Sequence, residues 1–261
     1  MKGTTLKFFT KQSSPEKMEA AFNSDYDRLL IVLERHSNQL SVIAYNAIFD
    51  LINSEEDEDN LDSKIQSILA ALISDIYKAV HSLYSDWYVS AFGFLSSVGT
   101  AQLNAILEGS INSAITDRIT DIVPKISETI KEIPKESIST DKLAKEVSKK
   151  LSERLSVTEV GGAAGTSISA TATALFPTSE LYKRWISVGD ERVRATHLDA
   201  SRRKPIRESQ LYRVGNSFMR FPVDPKAFGG NVAAEVIRCR CRSLVLPLTN
   251  GNALNAFLLR P

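Results

Sequence analysis

The apolar residues of this chain change their period part-way along it, and that change limits the fold more than any single motif. Up to about residue 155 they recur at helical spacing. Met18, Phe22, Leu29, Leu33, Leu40, Ile43, Ala47, Ile48 and Leu51 form one stripe. Ile65, Leu69, Leu72, Ile76, Tyr77, Val80, Leu83, Tyr84 and Trp87 form a second, and Leu143, Val147, Leu151 and Leu155 make an i, i+4 seam. From about residue 180 the spacing becomes strand-like alternation. Helices followed by strands, rather than interleaved with them, predict an α+β protein: a long N-terminal helical region, then a small C-terminal β-rich module. The expected division is 1–156 for the helical, protein-docking region, 157–247 for the module and 248–261 for a tail.

Local signals refine this. Ser14 and Pro15 suit a helix start. The acidic run at 53–60, NSEEDEDN, reads as a solvated loop, since it lacks the glycine and spacing of a calcium loop. A further helix is predicted over about 101–122, ended by Pro124. His81 lies beside the second apolar stripe and reads as a packed histidine, and His36 has no chemical neighbour. The stretch TEVGGAAGTSISATATALF is rich in small residues and fits either a loop or a close-packed helix. Its glycines match no phosphate-binding pattern. Gly215-Asn216 between apolar arms predicts a hairpin. AEVIRCRCRSLVLPL reads as a strand, with Cys239 and Cys241 on one face and Arg238, Arg240 and Arg242 on the other.

Charge is segregated although the total is nearly balanced, 32 basic against 31 acidic residues. Residues 183–242 hold 14 Lys and Arg against 6 Asp and Glu, which leaves 18 against 25 in the rest. Two regions with different partners follow, the basic one suited to phosphates or acidic protein surfaces. Arg202, Arg203, Arg238, Arg240 and Arg242 are the candidates for that contact; a structural network with Asp190, Glu191, Asp199 and Glu235 is the competing reading. No stretch approaches the roughly 18 apolar residues of a spanning helix, so no membrane contact is expected. The first residues carry no leader-like apolar run, and synthesis in a reducing cytosol is the expectation.

Both cysteines sit in VIRCRCRSLVLP. Three readings stay open for them: a metal site, a redox pair, or two small core residues. A metal site would draw on Cys239, Cys241 and His197, with Asp190, Asp199 or Asp224 as a source of oxygen. The same trio gives the alternative of a metal-dependent hydrolase or effector, though no nucleophile motif surrounds it.

KRWISVGDERVRATHLDA (183–200), FMRFPVDP (218–225) and AAEVIRCRC (233–241) resemble, in order and spacing over roughly 60 residues, the phage Mu F-like minor head proteins, the phage head morphogenesis family. The matching positions are Trp185, Asp190, Glu191, Arg192, Val193, Arg194, His197, Phe221, Pro222, Asp224, Pro225, Glu235, Val236, Cys239, Arg240 and Cys241. VTEVGGAAG is similar to the small-residue helix that precedes the family's domain, which favours a helix over 157–175. Many members carry Cys-x-x-Cys where this chain has Arg194 to His197, and glycine where it has Val223. The resemblance implies a non-enzymatic structural protein of the virion head, made in the host bacterial cytoplasm. It would be present in few copies and associated with the portal and with capsid or scaffold proteins. It would serve assembly, DNA packaging or ejection, with double-stranded DNA as a further partner. It implies no obligatory cofactor, zinc being an option. Trp185 and Phe221 are expected in the core, and Asp190 with Arg194 as an internal ion pair, or with His197 as a polar network.

Overall fold

The computed structural model describes residues 58–92, 100–131 and 158–247, with isolated positions at 24, 31, 42, 46 and 142. The first apolar stripe, the seam from Leu143 to Leu155 and the 248–261 tail lie outside the described residues.

Two long helices, α1 (Glu58–Phe92) and α2 (Thr100–Lys131), precede a third, α3 (Val160–Leu175). The β-rich part then runs β1 (Leu181–Ile186), α4 (Ala195–Arg202), β2 (Ile206–Arg207), β3 (Tyr212–Val214), β4 (Ser217–Met219), β5 (Phe228–Gly229), α5 (Val232–Val236) and β6 (Arg242–Pro247). The architecture is α+β, as the change of period predicts. Two boundaries differ from expectation. Glu58, Asp59 and Asn60 of the acidic run already belong to α1. Pro124 sits inside α2 instead of ending it. A proline removes one N–H from the helical ladder, and the turns on both sides carry the helix through that loss.

The helical layer is held in part by the predicted second stripe: Ile76, Tyr77, Val80 and Tyr84 of α1 are buried, while Leu83 is half-buried. Ile73 and Tyr88, outside that stripe, are buried as well, and Leu107, Ile111 and Ile115 of α2 answer them at i, i+4 spacing. Between them lies α3, which touches α1, α2 and β6. Its composition, unfavourable for a free-standing helix, suits one enclosed on all sides. Small side chains let neighbours approach: a Cβ on Gly165 would stand 2.2 Å from a ring carbon of Phe221. On Gly161 it would meet Val223 at 3.0 Å. Polar groups in this layer pair internally, with His81 Nδ1 3.1 Å from Ser167 Oγ and Ser85 Oγ 3.1 Å from Thr171 Oγ1. His81 is therefore a buried, satisfied histidine whose burial lowers its affinity for a second proton. Arg118 of α2 grips Glu159, just ahead of α3, through a two-pronged ion pair.

Two three-stranded antiparallel sheets make the module, in orders β2-β1-β6 and β3-β4-β5. β1 and β6 pair along their full length, from Leu181 opposite Pro247 to Ile186 opposite Arg242. Val214 pairs with Ser217 across the predicted Gly215-Asn216 turn. Gly215 has φ +57, the left-handed value that the first position of a two-residue II′ turn requires. Trp185 and Phe221 are both buried, as expected.

The long strand read from 234 onward is not what forms. Residues 232–236 are helical, 237–241 turn and run irregularly, and β6 starts only at Arg242. Arg238 has φ +54, which a strand residue does not adopt. The three-arginine face is thereby lost: Arg238 is exposed, Arg240 half-buried and Arg242 buried in β6. Among the described residues no helix is long and apolar enough to cross a membrane.

Candidate metal centre

His197 stands in the first turn of α4, and both cysteines lie in the irregular stretch that leads into β6. The fold brings these distant segments together under Trp185 of β1. The indole packs edge-on to the His197 ring at 5.3 Å between centroids, and edge-on to Tyr212 at 5.2 Å. Val214, Met219 and Val223 complete the surrounding apolar cluster.

His197 Nδ1 is 3.4 Å from Cys241 Sγ and 3.4 Å from Cys239 Sγ. The three donor atoms lie within 4.8 Å of one another, and all three residues are buried. This group can hold a metal ion. A tetrahedral ion with Zn–N near 2.1 Å and Zn–S near 2.3 Å sets its nitrogen and sulfur about 3.6 Å apart, close to what is seen. Two thiolates and an imidazole are also the donors that soft or borderline cations select over magnesium or calcium. The oxygen donors considered from sequence are engaged elsewhere. Asp190 accepts from Arg240, Asp224 is bound by Arg220, and Asp199 pairs with Arg203. Among the described residues the donor group is therefore these three.

Electrostatics separates the two sulfurs. The hydrogen bond from Cys239 does most to bring the Cys241 thiol down to about 5. The Cys239 thiol is pushed well above its ordinary value, first by the same bond to Cys241 and then by burial.

The motif residues surround this centre as clamps. Asp190 Oδ1 accepts from the Arg192 backbone N–H at 3.1 Å and from Arg240 Nη2 at 2.7 Å, tying the turn before α4 to the Cys-Arg-Cys segment. Those two bonds, Arg240's first, hold the Asp190 carboxyl below its ordinary range. Arg194 donates to the carbonyls of Glu235 at 3.4 Å and Ile237 at 2.6 Å. The expected Asp190–Arg194 pair is thus corrected. Each residue grips the 235–240 segment from its own side, because the irregular backbone there offers carbonyls that a strand would have used. Buried Asp224 accepts from the backbone N–H of Arg220 and Lys226 and twice from the Arg220 guanidinium, which fixes the turn that ends at Pro225. Arg192 extends into solvent with a 3.4 Å contact to Asp190.

Some members of the site are not legible locally. Glu235 Oε2 lies 3.0 Å from His197 Nε2 and accepts from Thr196 Oγ1 at 2.9 Å. A separation of 38 positions hides that contact from any spacing rule. Lys183, one strand position pair before Trp185, is buried beside Tyr212 and was no candidate from sequence.

Fold and site together define an α+β protein whose small β module closes over a Cys2His cluster. No protein-family model matches the chain, and neither a curated protein nor a solved structure does.

Proposed function

We propose that the chain is a minor head protein of a tailed phage, a structural component that docks on portal and capsid or scaffold proteins and approaches packaged DNA. One observation carries this reading. The residues of the head-morphogenesis resemblance, scattered from Trp185 to Cys241 in sequence, meet as one closed unit in space. The sulfurs and the imidazole face inward, under 8% exposed at every member, so a substrate has no approach to them. That supports a structural centre over the alternative of a hydrolase built on His197, Cys239 and Cys241. Arg202, Arg203 and Arg238 present basic side chains at the surface, Arg203 paired with Asp199, whereas Arg242 is interior.

The ion that best suits the centre is zinc, held by His197, Cys239 and Cys241. It would supply cross-linking of α4 to the strand-leading segment, with no redox chemistry of its own. Copper(I) shares the preference for these donors, and metal analysis separates the two. The functional reading is tested by quantitative mass spectrometry of purified heads from the encoding phage. A few copies per head are expected; absence from proheads and mature particles alike overturns it. The zinc reading is tested on the purified chain. One equivalent of zinc is expected, lost in the Cys239→Ala, Cys241→Ala variant, and a chain that takes up no zinc ends that reading.

A further inference from the structure

An imidazole presents a metal or a thiol with whichever nitrogen its other partner leaves bare. His197 has a different kind of partner at each nitrogen. Nδ1 faces the two sulfurs at 3.4 Å each, and Nε2 faces Glu235 Oε2 at 3.0 Å. An ionised carboxylate only accepts hydrogen bonds, so Nε2 carries the proton in that contact. In the neutral ring Nδ1 is then a lone pair directed at Cys239 and Cys241. We propose that Glu235 is the positioning residue of the centre, fixing His197 as the Nε2–H tautomer so that Nδ1 is held ready as a ligand.

The surroundings are built to keep that carboxylate in place. Thr196, the residue before the histidine, donates to the same Oε2 at 2.9 Å. Arg194 holds the Glu235 carbonyl and the Ile237 carbonyl beyond it. The β3–β4 turn passes over the other carboxylate oxygen: a Cβ on Gly215 would stand 2.8 Å from Glu235 Oε1. Gly215 therefore answers two demands, a left-handed φ of +57 and room for the carboxylate. Two segments far apart in sequence, Arg194 to His197 and the β3–β4 turn, thus meet at Glu235. A purely structural cap on α5 would need none of this, since Asn231 already accepts from the Ala234 N–H at 3.2 Å.

The tautomer is read directly by 15N-edited NMR of the full chain with labelled histidine, the His197 signals being assigned by their loss in His197→Gln. Wild type is expected to carry its proton on Nε2 and none on Nδ1 at neutral pH. Glu235→Ala should spread His197 over both tautomers and weaken zinc binding, measured against a chromophoric chelator, by about 10–100-fold. Glu235→Gln, whose amide oxygen still accepts from Nε2–H, should keep the tautomer and lose less than about tenfold. Thr196→Val removes a bond to the same carboxylate and should leave the tautomer unchanged; a merely structural Glu235 predicts that Thr196→Val and Glu235→Ala behave alike. A wild-type proton on Nδ1, or on both nitrogens, overturns the proposal, as does an unchanged tautomer in folded Glu235→Ala. The metal arm rests on the zinc reading and the tautomer arm does not. Nε2–H in a chain that takes up no zinc sinks the zinc reading alone.

Discussion

Lys183 is 1% exposed, its ammonium has no hydrogen-bond partner among the described residues, and the charges of Glu208 and Asp224 and the Tyr212 ring at 5.2 Å compensate it only in part. Burial lowers its affinity for the proton from an ordinary value of 10.5 to about 8. A base depressed in the folded state binds protons more weakly there than in the unfolded chain. Its cost to stability is therefore fully present below about pH 8 and fades as pH rises towards 10.5. Lys183→Met keeps the length of the stem and removes the charge. We expect it to raise stability by roughly 1–3 kcal/mol at neutral pH, allowing for a small loss of cation–π attraction, and to flatten the rise in stability between pH 8 and 10.5. Denaturant melts of both proteins across that range check this, and a less stable Met variant at neutral pH refutes it. Nothing in the sequence marks Lys183, because its burial comes from two sheets closing over it. Trp185, two positions on, is legible: a tryptophan in an alternating run, inside a resemblance, has few places to go but the core.

At the level of elements, α3 shows how tertiary packing overrides local preference. Glycine in a helix interior costs about 1 kcal/mol relative to alanine, so propensity alone predicts that Gly165→Ala stabilises. The packing predicts the reverse. The new methyl would stand 2.2 Å from the Phe221 ring, and that ring is locked by the Asp224 turn behind it. Overpacking of this kind costs typically about 1–3 kcal/mol, so we expect a net destabilisation of up to about 2 kcal/mol once the propensity gain of about 1 kcal/mol is subtracted. Gly109, with nothing within 4 Å of an added Cβ, is the control: Gly109→Ala in α2 should stabilise by up to about 1 kcal/mol. Thermal melts of both variants decide the point; equal shifts of the same sign contradict it. The same contrast explains which elements could be read in advance. The α1 stripe and the Gly215 hairpin are dictated by spacing and turn chemistry. The 232–241 segment is not, because VAAEVIRCRC alternates over its second half and is helix-compatible over its first. The left-handed backbone at Arg238 that separates the halves leaves no mark on an arginine.

For the molecule as a whole, the segregated charge has a physical consequence only where it reaches solvent. Arg242 is interior and Arg240 is engaged by Asp190, so the basic count of the module overstates its surface. Arg202, Arg203 and Lys204 remain exposed in a row at the end of α4, with Asp199 partly neutralising Arg203. If the proposed approach to packaged DNA is right, this row and Arg238 carry it, and binding to arbitrary duplex should weaken steeply with salt, since each neutralised phosphate contributes about 0.9 to the slope of log affinity against log salt. Arg202→Ala with Arg203→Ala should lower that slope by about 1–2 and reduce affinity alike for every duplex sequence. Arg242→Ala should act differently. It removes a buried side chain from β6 opposite Ile186, so the loss should appear in the melting curve and leave the salt slope of the folded fraction unchanged. Fluorescence anisotropy over a salt series, with a melt of each variant alongside, separates surface from scaffold. A flat salt response in wild type, or a slope untouched by the double substitution, removes DNA from the partners of this face and leaves the protein-docking role to stand or fall by the particle composition.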